Sequence, residues 1–258
     1  MTTDRREAFL VGGGRLLVLA ALLLAWAWGH RAVGDTYVAA PLAVAGWIAG
    51  DFASGAVWPH AIATLLVAAI GFCAGWLAGA AVPLLLIRSR RWQAALEPAI
   101  IVAMGIPLFA LVPLLILWFG IGMTPKVVIV AFMVFFIVFI STLAGLRAID
   151  RRLLDMGRVL GASEWQLTTR IRRQAMLPFL FAGLKIAVPR ALSATVVGEF
   201  LVADRGLGYR IEQARQTADT VGVFAGIMLV TLLVLGCDLL LTAWQRRQTR
   251  WQPAGFVG

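Results

Sequence analysis

Two stretches of this chain run without a single charge for longer than a bilayer is thick. Ala61 to Ile87 is 27 residues free of Lys, Arg, Asp and Glu, and Pro98 to Pro125 is 28. At roughly 1.5 Å of rise per helical residue the first reaches about 40 Å, against a hydrocarbon core of roughly 30 Å. Composition agrees: 61% of the 258 residues are hydrophobic and 14% charged, with a mean hydropathy of +0.88, whereas soluble domains carry about 25% charged residues. Such a chain cannot hide its apolar surface from water by folding alone. The expected class is an all-α, polytopic membrane protein.

Six spans are predicted, at about Leu16 to Trp28 (with a helix starting near Phe9), His60 to Ile87, Glu97 to Phe119, Lys126 to Leu146, Phe179 to Ala203 and Val221 to Trp244. The first follows Arg5, Arg6 and Arg15 as a secretory leader would, but His30 to Gly34 makes a poor cleavage site, so the segment is read as retained. Between the first two spans an external segment with a surface-lying helix around Ala43 to Phe52 is expected. The domain reading is residues 1–58 for the first span and external segment, 59–251 for a membrane core with a polar loop at 147–178, and 252–258 for a tail.

The formal charge of +10 would in a soluble protein point to nucleic acid. Here the basic residues sit in blocks between apolar runs, which is topology rather than a nucleic-acid surface. Alternate loops hold 16 Lys and Arg on one side and 5 on the other, with Lys185 and Arg190 inside a span. The excess places both termini in the cytoplasm.

No catalytic constellation is visible. His30 and His60 lack ligand-spaced partners, so no metal site is expected, and Cys73 and Cys237 fall inside spans, where they read as small packing residues. Neither lysine, Lys126 nor Lys185, ends a Gly-x-x-x-x-Gly-Lys loop, so the chain has no such route to nucleotide hydrolysis. The glycines within spans are read as sites of close helix approach.

The polar loop is different. In Arg151-Arg152-Leu153-Leu154-Asp155-Met156-Gly157-Arg158-Val159-Leu160-Gly161-Ala162-Ser163-Glu164-Trp165-Gln166-Leu167, four aliphatic residues share roughly one helical face. Gly161 ends that helix and Ser163 is placed to cap another running toward Arg173. Helical bundles need only about two to eight residues to join two spans. A loop of about 30 with an apolar stripe and Trp165 is a partner-docking element.

These residues resemble the EAA loop of ABC importer permeases. Asp155-Met156-Gly157 stands at the first triplet, Gly161 at the Gly turn followed by Ala162, Ser163, Glu164 and Trp165, Ile171 at the aliphatic position and Leu177-Pro178 at the closing Leu-Pro. Met156 and Gly157 depart from two alanines, and Arg173-Gln174 replaces an earlier Leu-Pro. Pro113 to Gly122, reading PLLILWFGIG, resembles the corresponding segment of the nitrate, sulfonate and taurine branch. Val197-Gly198-Glu199-Phe200 followed by Asp204-Arg205-Gly206-Leu207-Gly208-Tyr209 resembles its acidic-then-GLGY signature. Ser141 stands where relatives often have Asn, and Val67 where many have Arg.

The resemblance implies a type I ABC importer permease fold and a homodimer served by two ATPase subunits and an extracytoplasmic binding protein, in a bacterial inner membrane among lipid. It implies that ATP and Mg belong to the ATPase, that this chain binds no cofactor and is no enzyme, and that nucleic acid is not a partner. The solute would be nitrate, a sulfonate, taurine or a pyrimidine or thiamine precursor. From a different class, an ion-gradient-driven secondary transporter would show a repeated pair of broken helices, which the sequence lacks; a membrane-embedded enzyme would need a catalytic constellation.

Charges inside spans cost about 2.5 to 3.5 kcal/mol on insertion scales and call for a partner or a wet cavity. Lys185 and Asp238 lie at matching depths and are expected to form a structural ion pair. Glu199, with Thr195 and less directly Ser193 on its face, either lines the outer gate or pairs with Arg205 or another external Arg. Ser141, Ser193, Thr195 and Glu199 are the candidate pathway residues.

Overall fold

The computed structural model describes residues 2–86, 89–202 and 204–248, and every regular element among them is a helix. In chain order these are α1 (Thr2–Val33), α2 (Pro41–Ser54), α3 (Val57–Leu86), α4 (Arg90–Met104), a 3-10 turn (Leu108–Leu111), α5 (Val112–Phe119) and α6 (Met123–Arg147). After them come α7 (Arg151–Val159), α8 (Glu164–Gln166), a π turn (Leu167–Arg172), α9 (Arg173–Val202), α10 (Leu207–Gln216) and α11 (Thr220–Gln248). Five stretches are long and apolar enough to cross a membrane: Gly12–Val33, Val57–Leu86, Met123–Arg147, Glu164–Leu201 and Thr220–Gln245. A bent pair, Ala94–Met104 and Leu108–Phe119, turned by 85° at its break, makes six when it is counted as one span. The expected tail 252–258 lies outside the described residues.

The stretch expected as a span over Glu97 to Phe119 is thus bent within its length. Pro107 has no N–H to give, and its ring disfavours helical backbone at Ile106, so the ladder stops after Met104. The helix resumes through the 3-10 turn, and Pro113 fits the first turn of α5.

Two compact units divide the chain: residues 1–58 with 210–229, and residues 59–209 with 230–258. Residues 210–229, assigned to the membrane core from sequence, thus group with the first 58. In that unit the Trp26 indole N–H donates to Ala39 O at 2.9 Å, and the Trp26 ring stacks on Phe224 at 5.9 Å. Arg210 makes two bonds to the buried Asp51 carboxylate and lies 4.8 Å over Trp47. A bidentate, stacked guanidinium is the strong form of such a contact. The helix expected around Ala43 to Phe52 is α2, stopped by Gly55 in the left-handed region (φ 77°).

The second unit is built on α6. Gly71, Gly75 and Gly79 recur every four residues along α3 and face it, and a Cβ at Gly71 would sit 2.6 Å from Val130, one at Gly75 2.8 Å from Val134, one at Gly79 2.9 Å from Val138. In lipid, helices gain little from removing apolar surface from water, so close backbone approach with dense contact is what holds them. On the neighbouring helix, Gly183 of α9 lies against Ser141 of α6, and Gly145 of α6 against Phe179. Val67, Val130, Val134, Ala187 and Ala191 form the buried centre of this packing.

Candidate functional site

The polar loop folds as a small rigid hairpin. Asp150 caps α7 by accepting from the Arg152 amide at 2.9 Å. Gly161 (φ 78°) ends it: the Gly161 N–H reaches Arg158 O at 2.9 Å and the Ala162 N–H reaches Gly157 O at 3.0 Å, the paired bonds of a Schellman motif. Ser163 then opens α8 with a full capping box, its N–H donating to Gln166 Oε1 at 2.8 Å and its Oγ accepting from the Gln166 amide at 3.3 Å. The π turn carries the chain into α9, which runs without interruption past Pro178.

The hairpin has two faces. Inward, Leu167 is fully buried and Gly157 lies directly over it, where a Cβ would collide with the Leu167 methyl. Outward, Val159 (87% exposed), Leu160 (78%) and Trp165 (76%) stand in the open at the tip. Its acidic residues are spent within the loop: Arg158 bonds Asp155 and Glu164 at 3.0 Å each, and Arg172 reaches Glu164 at 3.2 Å. What the tip presents to a partner is therefore apolar surface rather than the charge of Asp155. Beside it, a cavity of about 760 Å³ opens between Leu84 and Leu85 of α3 and Arg158, Trp165 and Arg172 of the loop.

A second polar cluster centres on Glu199, which is 1% exposed. Thr64 Oγ1 lies 2.9 and 3.0 Å from its two oxygens, and the Gly208 amide donates to Oε2 at 2.9 Å. The Leu207 amide donates to Thr64 Oγ1 at 2.9 Å, and the Gly206 amide to His60 Nδ1 at 3.3 Å. Lys126, itself buried, packs its stem on Gly198. A Cβ at Gly206 (φ 122°) would strike the carboxylate, and one at Gly208 would strike both Glu199 and Val196 O. The Gly-Leu-Gly turn is glycine-rich because it wraps a buried carboxylate.

The four candidate pathway residues do not converge on one opening. Ser141 Oγ bonds Ile137 O and lies at the α6–α9 crossing. Thr195 is fully buried and bonds Ala191 O, while Ser193 is exposed and bonds Pro189 O. Glu199 is enclosed by Thr64 and the Gly208 amide, and the Arg205 expected as a partner stands against Asp204 at 3.6 Å instead. Nor do Lys185 and Asp238 form an ion pair among the described residues; both side chains are half-buried. Matching depth along two helices does not ensure matching faces. The buried pair the sequence reading missed is Asp51 with Arg210, far apart in the chain and without a local signature. At the end of α6, Arg147 binds Glu97 of α4. Among the described residues no group of three or more His, Cys, Asp or Glu is arranged to hold a metal.

Residues 71–250 match the family described as "Binding-protein-dependent transport system inner membrane component". The chain is 33% identical to the riboflavin transport system permease protein RibX of Chloroflexus aurantiacus, over 93% of this chain and 91% of that one. It is 31% identical to the taurine transport system permease protein TauC of Escherichia coli, over 78% and 73%. In fold it is similar to a chain of a bacterial ABC transporter involved in the import of the acidic polysaccharide alginate, with a TM-score of 0.66 and 15% identity over 95% and 98% of the two chains.

Proposed function

Because this chain belongs to the family of inner membrane components of binding-protein-dependent transport systems, we propose that it is the permease half of a symmetric importer whose motor docks on the 147–178 loop. The chain is an ABC importer permease and an integral membrane protein. Our reading assembles two copies of it with two ATPase subunits and an external binding protein in a bacterial inner membrane. Both termini and the loop face the cytoplasm, following the excess of basic residues there. ATP and Mg stay on the ATPase subunits, and this chain binds no cofactor and performs no covalent step. Closure of the ATPase dimer pushes the hairpin, and α6 and α9, which continue directly from its two ends, carry that displacement into the membrane.

The observation that carries this reading is the hairpin tip. Val159, Leu160 and Trp165 are held in the open by a Schellman turn and a capping box back to back. A flexible linker needs neither device. Co-expression with the ATPase and binding-protein partners tests it: the permease should retain the ATPase through purification, and reconstituted vesicles should take up solute only with ATP inside. A chain that purifies alone and leaves vesicles silent overturns the reading.

For the solute, the likeness to the taurine permease supports a small sulfonate or related anion. The likeness to the riboflavin permease, higher and over more of the chain, favours a heteroaromatic solute as the second reading. Titrating the partner binding protein with taurine and with riboflavin separates the two.

A further inference from the structure

The cavity beside the hairpin has two unlike walls. One is aliphatic: Ala81, Leu84 and Leu85 belong to the last two turns of α3. With Leu77 one turn earlier they make an exposed strip, in which Leu77 and Leu85 are each 61% exposed. Residues spaced by four, seven and eight share a helical face, so the strip runs out of the cavity and up the span, where lipid tails lie. The other wall is polar and belongs to the loop. There Glu164 stands between Arg158 and Arg172 and bonds both, with Trp165 beside them.

Two guanidinium groups against one carboxylate leave that wall with a net charge of +1. Residues 147–178 as a whole hold seven Arg against Asp150, Asp155 and Glu164, a net of +4. Arg172 is also short of a partner, its Nε being buried without a hydrogen bond among the described residues. The level is that of the membrane boundary: the span of α3 ends at Leu86, the chain beyond it is basic at Arg88, Arg90 and Arg91, and tryptophan is a side chain that settles at such boundaries. We propose that this cavity of about 760 Å³ binds an anionic glycerophospholipid, its phosphate on Arg158 and Arg172 and an acyl chain along Leu77, Ala81, Leu84 and Leu85. Basic pockets between helices on the cytoplasmic side take such headgroups. A soluble anion has no use for the aliphatic strip. The inference takes from the permease reading only the side of the membrane on which the loop lies. A lipid so placed fills the gap between α3 and the hairpin, so the anionic content of that leaflet bears on the element that meets the ATPase.

Two measurements on the permease purified with its ATPase test the inference. In the first, the detergent-solubilised complex is equilibrated with equal amounts of dioleoylphosphatidylglycerol and dioleoylphosphatidylcholine, and the retained lipid is counted by native mass spectrometry. One basic residue near the surface favours an anionic lipid by about fivefold, so the single net positive charge of the wall predicts about a fivefold excess of phosphatidylglycerol. Arg158→Gln should bring the two lipids to equal retention, whereas Arg158→Lys, which keeps the charge, should keep the excess. The second uses the unsubstituted complex, which no misfolded variant can confuse. Phosphatidylglycerol with a diazirine in one acyl chain should crosslink to α3 between Leu77 and Leu85, and a large excess of inorganic phosphate should not displace it. Equal retention in the unsubstituted complex, an excess that Arg158→Gln leaves intact, displacement by inorganic phosphate, or crosslinks that avoid α3 overturns the inference. The last is also what a second copy or the ATPase seated in the cavity would give. Failure of the permease reading looks different: no ATPase co-purifies, and retention and crosslinks are still read on the chain alone.

Discussion

Gly157 and Gly161 stand four residues apart and are glycine for opposite reasons. At Gly161 the backbone is left-handed and a Cβ would meet nothing within 4 Å, so a side chain costs about 1 to 2 kcal/mol in conformation and nothing in packing. At Gly157 the conformation is ordinary and the space is taken by Leu167. Gly161→Arg should therefore insert and fold almost normally while losing ATPase stimulation, because the arginine projects from the tip into the docking partner. Gly157→Val should instead loosen the hairpin itself, seen as faster hydrogen exchange over residues 151–172. If Gly161→Arg hydrolyses ATP and transports at the native rate with its ATPase bound, the loop is only a linker. Glu199 allows a sharper experiment. Glu199→Gln turns one of the two acceptor oxygens that Thr64 and the Gly208 amide share into a donor, and Thr64→Val leaves the Leu207 amide without its acceptor. Each should cost about 1 to 3 kcal/mol, as a buried unpaired polar group does. Since both disrupt one network, the double variant should cost less than the sum in thermal unfolding of the detergent-solubilised protein; strict additivity would mean the two groups act separately.

At the scale of elements, the α3–α6 contact is a sequence of glycines spaced by four. Gly75→Val would drive a side chain into Ala131 and Val134, whereas Gly236→Ala on α11 meets nothing within 4 Å. The first should abolish the monodisperse peak in size-exclusion chromatography, and the second should leave it unchanged or slightly raise the melting temperature; equal tolerance at both positions would refute the close approach. Apolar run length and capping chemistry made α3, α6, α7, α9 and α11 legible from sequence, as did Gly161 and Ser163, because those signals are local. The bend between α4 and α5 was missed because Gly105 and Pro107 lie inside an unbroken apolar run, and counting charges does not register a proline. The Asp51–Arg210 pair and the enclosure of Glu199 by Thr64 were missed for another reason. Each joins residues more than a hundred positions apart, and no periodicity along one helix carries that information. The proposed Lys185–Asp238 pair failed by the same limit, since depth is readable from sequence and facing is not.

For the whole molecule, the question is what force joins it to its motor. A salt-dependent dock would use the charges of the loop, but Asp155, Arg158, Glu164 and Arg172 already bind one another, and exposed ion pairs contribute only about 0 to 1 kcal/mol. Asp155→Lys should accordingly weaken assembly by less than about tenfold. Burying Val159, Leu160 and Trp165 is worth far more, at about 1.5 to 3 kcal/mol for each large apolar side chain. Replacing all three with serine should lower affinity for the ATPase by roughly a thousandfold or more once partial burial is allowed for, while the loop keeps its fold because both caps are backbone and Ser163–Gln166 interactions. Capture of the ATPase by immobilised permease across a salt series measures this directly. Apolar docking predicts that native capture holds or strengthens as salt rises and that the triple variant captures little at any salt. Capture that falls away with salt in the native protein and survives in the triple variant would place the attachment on the basic residues flanking the loop instead of on its tip.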